Sequence, residues 1–214
     1  MTVIIRFLER FFPENMLFIT VSGTDGSGKS TQLALLREHF EKSGREVAYF
    51  HAVGFSIANR LNRKIRGGKD FVPGREKAAT SASPVSILLR KLFLLIDLIR
   101  FRFFLRSLER GGIDVLLSDR YFYDSVVNIE FLSGPDRPFR FPDRIIPRPD
   151  FAFFLDVSPE TVMGRERAPE QGAEYVSRKR ALFQADAERF GFHVIDAGGS
   201  KEEVFPLIRQ IIEP

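Results

Sequence analysis

The 214-residue sequence has no cysteine, no tryptophan and only three histidines. Without cysteine, disulfides, thiolate catalysis and sulfur-ligated zinc or iron sites are all excluded. His39, His51 and His193 stand far apart and in no metal-ligand spacing, so the sequence offers no histidine metal centre. It also lacks an apolar run long enough to span a bilayer. The greasiest stretch, residues 87–108, is interrupted by Arg90, Lys91, Asp97, Arg100, Arg102 and Arg106, and it reads as a long, mostly buried helix with its polar residues on one stripe. Residues 1–12 (MTVIIRFLERFF) are broken by Arg6, Glu9 and Arg10 and do not form the apolar core of a signal peptide; they read as a short amphipathic helix. No membrane partner and a cytoplasmic location are the resulting expectations. Internal repeats and low-complexity segments are absent as well.

What is present is an ordinary globular composition, 44% hydrophobic and 28% charged, on a length that suits one domain. The 32 basic residues exceed the 28 acidic ones by four, a balance too mild to point to a nucleic-acid partner. Their make-up is less ordinary, with 24 arginines to 8 lysines. Guanidinium is a planar fork of donors that stays charged at any physiological pH, so this bias favours phosphate or carboxylate ligands. Phenylalanine is equally abundant, at 23 residues, and reads chiefly as core.

Short apolar runs alternate with longer helical stretches. Residues 16–22, 47–52, 114–117, 150–157 and 193–196 read as strands. Residues 29–43, 84–110, 174–190 and 201–212 read as helices, with a further helix opening at Ser158-Pro159. The strands are continuously apolar rather than alternating, which requires burial on both faces. The expected architecture is therefore α/β: a three-layer sandwich around a mostly parallel five-stranded sheet. Residues 56–83 and 133–149, rich in basic residues, glycine and proline, read as surface loops.

The most informative segment is Gly23-Thr24-Asp25-Gly26-Ser27-Gly28-Lys29-Ser30, followed by Thr31, which satisfies the phosphate-loop pattern G-x-x-x-x-G-K-[ST] between a strand and a helix. The glycines let successive backbone N–H groups curl towards phosphate oxygens, and the helix adds its positive end. Lys29 is expected at the β- and γ-phosphates of ATP, and the Ser30 hydroxyl on Mg²⁺. Asp119, closing the apolar run 115–118, is the expected second metal-site residue.

The loop, read as G-x-D-G-x-G-K-[ST]-T, and the strand end Asp119-Arg120-Tyr121 with Ser125 resemble the thymidylate kinase family of P-loop nucleoside monophosphate kinases. So do Pro149-Asp150 leading into the strand that ends at Val157, the pair Pro159-Glu160, and the closing Ile195-Asp196-Ala197. The likeness runs from about residue 16 to 212, leaving residues 1–15 as an extension and placing an arginine-bearing lid at about 161–175. Three elements differ: Ser125 comes one residue later than the family's spacing, the family's acceptor-facing helix arginine falls near Ile96 and Asp97 with Arg100 a turn later, and the acceptor segment is replaced. Where the family carries R-E-P-G-G-T to position the acceptor, this chain reads F-H-A-V-G-F-S from Phe50 to Ser56.

The resemblance implies phosphoryl transfer from ATP to a small nucleotide acceptor, dTMP, in a homodimeric enzyme. It also implies that Arg120 holds the acceptor phosphate, that Arg165 and Arg167 close over the transferring group, and that Asp25 reaches the acceptor sugar. Tyr121 and Arg100 are implied on the acceptor side. Because the R-E-P-G-G-T segment is replaced, two other readings stay open at this stage: a kinase acting on a hydroxyl, and a nucleotide hydrolase or switch with no small acceptor.

Overall fold

The computed structural model describes residues 16–57, 82–134, 143–165 and 168–213. The expected extension 1–15, most of the segment 56–83, and Arg167 lie outside the described residues. Five strands are present: β1 (Leu17–Ser22), β2 (Val47–His51), β3 (Val115–Asp119), β4 (Phe151–Asp156) and β5 (Phe192–Asp196). They form one sheet in the order β2-β3-β1-β4-β5, and every neighbouring pair is parallel.

Strand geometry sends successive side chains to opposite faces, and both faces are apolar. Phe18, Leu116, Ala152 and Phe154 enter one cluster; Ile19, Val21, Leu117, Phe153 and Leu155 enter the other. Burying one Leu or Phe side chain contributes about 1.5–3 kcal/mol, so a face left in water would forfeit a large part of the usual net stability of about 5–15 kcal/mol. Both faces are accordingly covered. On the first, α3 (Pro84–Arg110) and α4 (Phe122–Ser133) contribute Leu94, Leu98, Phe101, Leu105 and Val126. On the second, α1 (Lys29–Lys42) and α8 (Lys201–Ile212) contribute Leu33, Leu36, Phe40, Val204 and Ile208. The short α2 (Ala52–Phe55), α5 (Pro159–Met163) and α7 (Ala187–Phe190), with the longer α6 (Gly172–Ala185) and a 3-10 turn at Asp143–Ile145, complete the described elements.

The first face also explains much of the phenylalanine content. Phe50 and Phe101 lie 4.7 Å apart between ring centroids, Phe101 and Phe122 5.1 Å, and Phe18 and Tyr121 5.3 Å in an edge arrangement. Helix starts follow their caps: Ser83 accepts from the Ser86 N–H at 3.3 Å before Pro84, and Ser158 accepts from the Thr161 N–H at 3.2 Å before Pro159.

Three features depart from the sequence expectation. Helix α4 has no counterpart among the elements read from sequence. The helix expected over 174–190 is two helices, α6 and α7, separated at Asp186. Helix α3 is not mostly buried and does not keep its polar residues to one stripe. Its inward side carries Ile87, Leu94, Leu98, Phe101 and Leu105, but also the buried Asp97 and Arg102. Asp97 accepts from the Ile57 N–H at 3.2 and 3.1 Å and from Arg100 at 2.6 Å, while Arg102 donates to the Ile145 carbonyl at 2.7 Å. Its outward side exposes Val85, Leu88, Leu92, Leu95, Ile99 and Phe103.

The described part of the 133–149 segment is also tied down. Arg189 on α7 donates to both oxygens of Asp143, at 2.6 and 2.8 Å, to Glu130 at 2.8 Å and to Asp186 at 3.0 Å. Burial pushes the Glu130 carboxyl up to about 7, with Asp186 adding to the rise and Arg189 opposing it. The folded chain thus holds a proton that the unfolded chain releases at the ordinary glutamate pKa. This contribution to stability is complete below about 4.5 and is lost as pH rises through about 7. Glu130→Gln keeps an acceptor for Arg189 and is expected to flatten the fall in the urea midpoint between about pH 5 and 8 relative to wild type. A slope equal to that of wild type would refute the assignment.

Candidate active site

The chain leaves β1 for β2 on one side of the sheet, and leaves β3 for β4 on the other. The crevice beyond the carboxyl end of β1 is therefore the switch point at which open α/β sheets bind ligands. The glycine loop occupies it. Gly23, Gly26 and Gly28 have φ of 149°, 82° and 96°. A Cβ at Gly23 would lie 2.7 Å from Ser27 Oγ and 3.0 Å from the Leu155 carbonyl, so the turn closes only with glycine there. Helix α1 follows with no acidic residue in its first turn, leaving its positive end open to an anion.

Lys29 is buried inside this loop, its ammonium donating to the carbonyls of Gly23 at 3.0 Å and Thr24 at 2.7 Å and lying 3.4 Å from Ser27 Oγ. Burial, together with Arg120, lowers its pKa, while Asp25, Asp119 and Asp124 hold it up. At the foot of the loop, Ser30 Oγ donates to Asp119 Oδ2 at 2.9 Å. The Tyr49 hydroxyl on β2 donates to the same oxygen at 3.0 Å, and burial beside the Asp119 charge raises its pKa, which keeps it a donor. A hydroxyl and a carboxylate side by side are hard oxygen donors of the kind that Mg²⁺ takes, so the residues fit that ion.

Arg120 follows Asp119 with φ 60°, in the left-handed region, which among the described residues no other non-glycine adopts. Such a backbone costs about 1–2 kcal/mol and persists where the surroundings fix it. Here the Arg120 N–H donates to the Val21 carbonyl at 3.1 Å, and its carbonyl accepts from Ser118 Oγ at 2.7 Å. The result aims the guanidinium at Asp25, with which it forms an ion pair. Burial pushes the Asp25 carboxyl up, but Arg120, Lys29 and Lys179 outweigh it and hold the group below the usual carboxylate range. For Arg120 burial again opposes the charge, and Asp25, Asp124 and Asp119 raise its pKa instead.

Asp124 escapes assignment from sequence. Its Oδ2 accepts from Ser22 Oγ at 2.6 Å and from the Tyr121 N–H at 2.9 Å, while Oδ1 is buried without a partner. It thereby fastens the start of α4 to the end of β1, and burial raises its pKa against the pull of Arg120. An acid three residues after a helix cap, as in the Tyr121 to Asp124 spacing, was the available sequence clue.

The remaining expected residues divide. Arg165, directly after α5, reaches the loop: Nη1 donates to the Gly26 carbonyl at 2.7 Å and Nη2 to the Ala197 carbonyl at 2.8 Å. Arg167 lies outside the described residues. Tyr121, expected on the acceptor side, is instead fully buried in the first-face core, with its hydroxyl donated to the Pro147 carbonyl at 2.6 Å. Arg100 is anchored on Asp97, on the Phe55 carbonyl at 2.9 Å and over the Phe55 ring at 4.3 Å, beside the segment that follows β2.

Comparison with known proteins places this geometry. The sequence profile of thymidylate kinase matches residues 21–208. The chain belongs to the thymidylate kinase family. Among relatives, a probable thymidylate kinase of Thermococcus kodakarensis is 32% identical over 162 residues, 74% of this chain and 75% of that one. A thymidylate kinase of Bifidobacterium longum subsp. infantis is 29% identical over 217 residues, 92% of this chain and 86% of its own. The crystal structure of thymidylate kinase from Ehrlichia chaffeensis shares the fold, with a TM-score of 0.59 and 18% identity over 93% of this chain and 99% of that one.

As a member of the thymidylate kinase family, this chain differs after β2. His51 caps α2, its Nδ1 accepting from the Gly54 N–H at 3.4 Å, and Phe50 packs on Phe55 with centroids 5.1 Å apart. An aromatic wall with Arg100 laid over it stands where the family's R-E-P-G-G-T segment would be.

Proposed function

We propose that this protein transfers the γ-phosphoryl group of ATP, with Mg²⁺, to the phosphate of a nucleoside monophosphate, dTMP. The observation that carries this reading is the convergence of a phosphate loop, an oxygen pair fit for a metal, and the Arg120–Asp25 pair at one crevice. An acceptor phosphate is already ionised near neutral pH, so no general base is needed and catalysis consists of alignment and charge neutralisation. The acceptor oxygen attacks the γ-phosphorus as the bond to the ADP oxygen breaks, and no proton changes hands. Lys29 neutralises the donor phosphates from inside the loop, and Arg120 orients the acceptor phosphate. Asp25 accepts from the acceptor sugar, and Arg165 clamps the outer side of the loop. Ser30 and Asp119 would hold Mg²⁺, which when bound draws off charge from the β- and γ-phosphate oxygens.

Incubation with ATP, Mg²⁺ and a panel of monophosphates and nucleosides is the direct test. ADP release that depends on dTMP is expected; release only with nucleosides, or equally without any acceptor, would overturn the reading.

A homodimer built on α3 belongs to the same proposal. Leu88, Leu92, Leu95, Ile99 and Phe103 recur every three or four residues on its outer side and are all exposed, a contiguous apolar stripe of the kind that marks an interface. A twofold axis beside the helix would pair the stripe with its copy. The double variant Leu92→Asp, Ile99→Asp is expected to halve the mass measured by light scattering at micromolar concentration, and a monomeric wild type would exclude the dimer.

A further inference from the structure

The cations gathered at the carboxyl end of the sheet are mostly engaged. Lys29 has the loop carbonyls, Arg120 has Asp25, and Arg165 has the carbonyls of Gly26 and Ala197. Among the described cations there, Lys179 on α6 is the exception. It is only 8% exposed, makes no hydrogen bond with any described residue, and rests against the rings of Tyr175 at 4.8 Å and Phe131 at 5.8 Å. It lies within electrostatic reach of Asp25 and Lys29 in the loop and of Arg120 and Asp124 at the start of α4. One turn earlier on the same helix, the Tyr175 hydroxyl is buried without a partner and within reach of the same Asp25 and Arg120.

Ring contacts do not account for this arrangement. A cation over an aromatic ring gains about 0.5–2 kcal/mol, whereas burying an ammonium costs several kcal/mol even after relaxation. Of the neighbouring charges, Asp25 and Asp124 ease that cost while Arg120 and Lys29 add to it, and neither carboxylate is bonded to the ammonium. An ammonium and a phenol, both buried without acceptors among the described residues and both within electrostatic reach of Asp25 and Arg120, are complementary to an anion that enters with the substrate.

We propose that Lys179 is a phosphoryl-binding residue of the transfer site, with the Tyr175 hydroxyl as a second donor beside it. This rests on reading the site as one of phosphoryl transfer, and not on which acceptor it uses. As the bond from phosphorus to the acceptor oxygen forms and the bond to the ADP oxygen breaks, Lys179 keeps its proton and balances the charge on the peripheral oxygens. Because α6 is packed into the core through Val176 and Phe183, this charge is in place before any lid movement. In the free enzyme the ammonium titrates at about 8, lowered by burial, with Asp25 and Asp124 retaining the proton and Arg120 and Lys29 repelling it.

Lys179→Met keeps the apolar stem and is expected to lower kcat roughly 100-fold while leaving the KM for ATP within about twofold, with Lys179→Arg recovering most of the loss. In wild type kcat/KM is expected to fall above about pH 8, and in Lys179→Arg this limb moves up by more than one unit. Tyr175→Phe, which removes only the hydroxyl, is expected to lower kcat by about tenfold and guards against a folding defect in the lysine variants. A second readout is independent of the acceptor: fluoroaluminate should tighten MgADP binding to wild type, and Lys179→Met should lose most of that tightening. Wild-type kcat in Lys179→Met, tightening of MgADP in that variant equal to wild type, or no tightening in wild type, each overturns the proposal. Absence of dTMP turnover with the fluoroaluminate effect intact would instead remove the acceptor assignment and leave Lys179 in place.

Discussion

Lys29→Met is expected to reduce ATP-dependent transfer by on the order of 10³-fold or more, because it removes the one positive charge that the phosphate loop itself carries. Methionine matches the lysine stem, so the fold around α1 should survive. The loop carbonyls of Gly23 and Thr24 lose a donor, at about 1–3 kcal/mol for each group left buried and unpaired. Against this, the desolvation cost of a buried ammonium disappears. The two effects oppose each other, so thermal stability should change far less than activity. Coupled ADP release and a melting curve read the two separately. A variant that retained a tenth of wild-type turnover would exclude this loop as the donor site.

Substitution of Arg120 is expected to lower kcat by about 10²- to 10³-fold and to raise the acceptor KM more than the ATP KM. Two variants separate chemistry from backbone. Arg120→Ala keeps the strain of the left-handed φ, whereas Arg120→Gly relieves it and should be more stable by about 1 kcal/mol. Both unmask Asp25. In wild type its carboxyl is held below the usual range, chiefly by Arg120 against the upward push of burial. That contribution is present above the ordinary aspartate pKa and is lost as pH falls through the depressed one. Without Arg120, burial prevails and the carboxyl rises, so the stability deficit of both variants should be largest near neutral pH and shrink towards about pH 4. Urea midpoints across that range check it. A deficit that is independent of pH would mean that the ion pair does not set the Asp25 titration.

Much of the architecture was legible because the strands are uninterrupted apolar runs and the helices carry explicit caps, as at Ser83-Pro84 and Ser158-Pro159. Helix α4 was not, since Phe122, Val126, Val127, Ile129, Phe131 and Leu132 bury it on most sides and leave no polar period to read. The placement of Asp97 and Arg102 on the inward side of α3 is not legible for a related reason. Residues such as Asp97 and Arg102 are ordinarily solvated, and only the partners supplied by Ile57, Arg100 and Ile145 make them interior. Within the site, the loop, Asp119 and Arg120 follow from spacing, because the backbone geometry they need is local. Asp124, Tyr49 and Lys179 depend on side chains brought together from α4, β2 and α6, and no local pattern encodes that meeting. A motif tyrosine beside Arg120 looks like a ligand contact, but Tyr121 lies past the end of β3, where the left-handed turn at Arg120 breaks the alternation of the strand and delivers it as the cap of α4 into the first-face core.

The hydroxyls that converge on this crevice also have an optical consequence. With no tryptophan and only four tyrosines, the intrinsic emission excited beyond the phenylalanine band comes from Tyr49, Tyr121, Tyr123 and Tyr175. The phenol of Tyr49 is bonded to the Asp119 carboxylate at 3.0 Å, an arrangement that quenches tyrosine emission, and Tyr175 faces the Asp25–Arg120 pair. Half of the natural fluorophores therefore sit where nucleotide and metal would compete for their neighbours, and the chain carries its own unlabelled reporter of site occupancy.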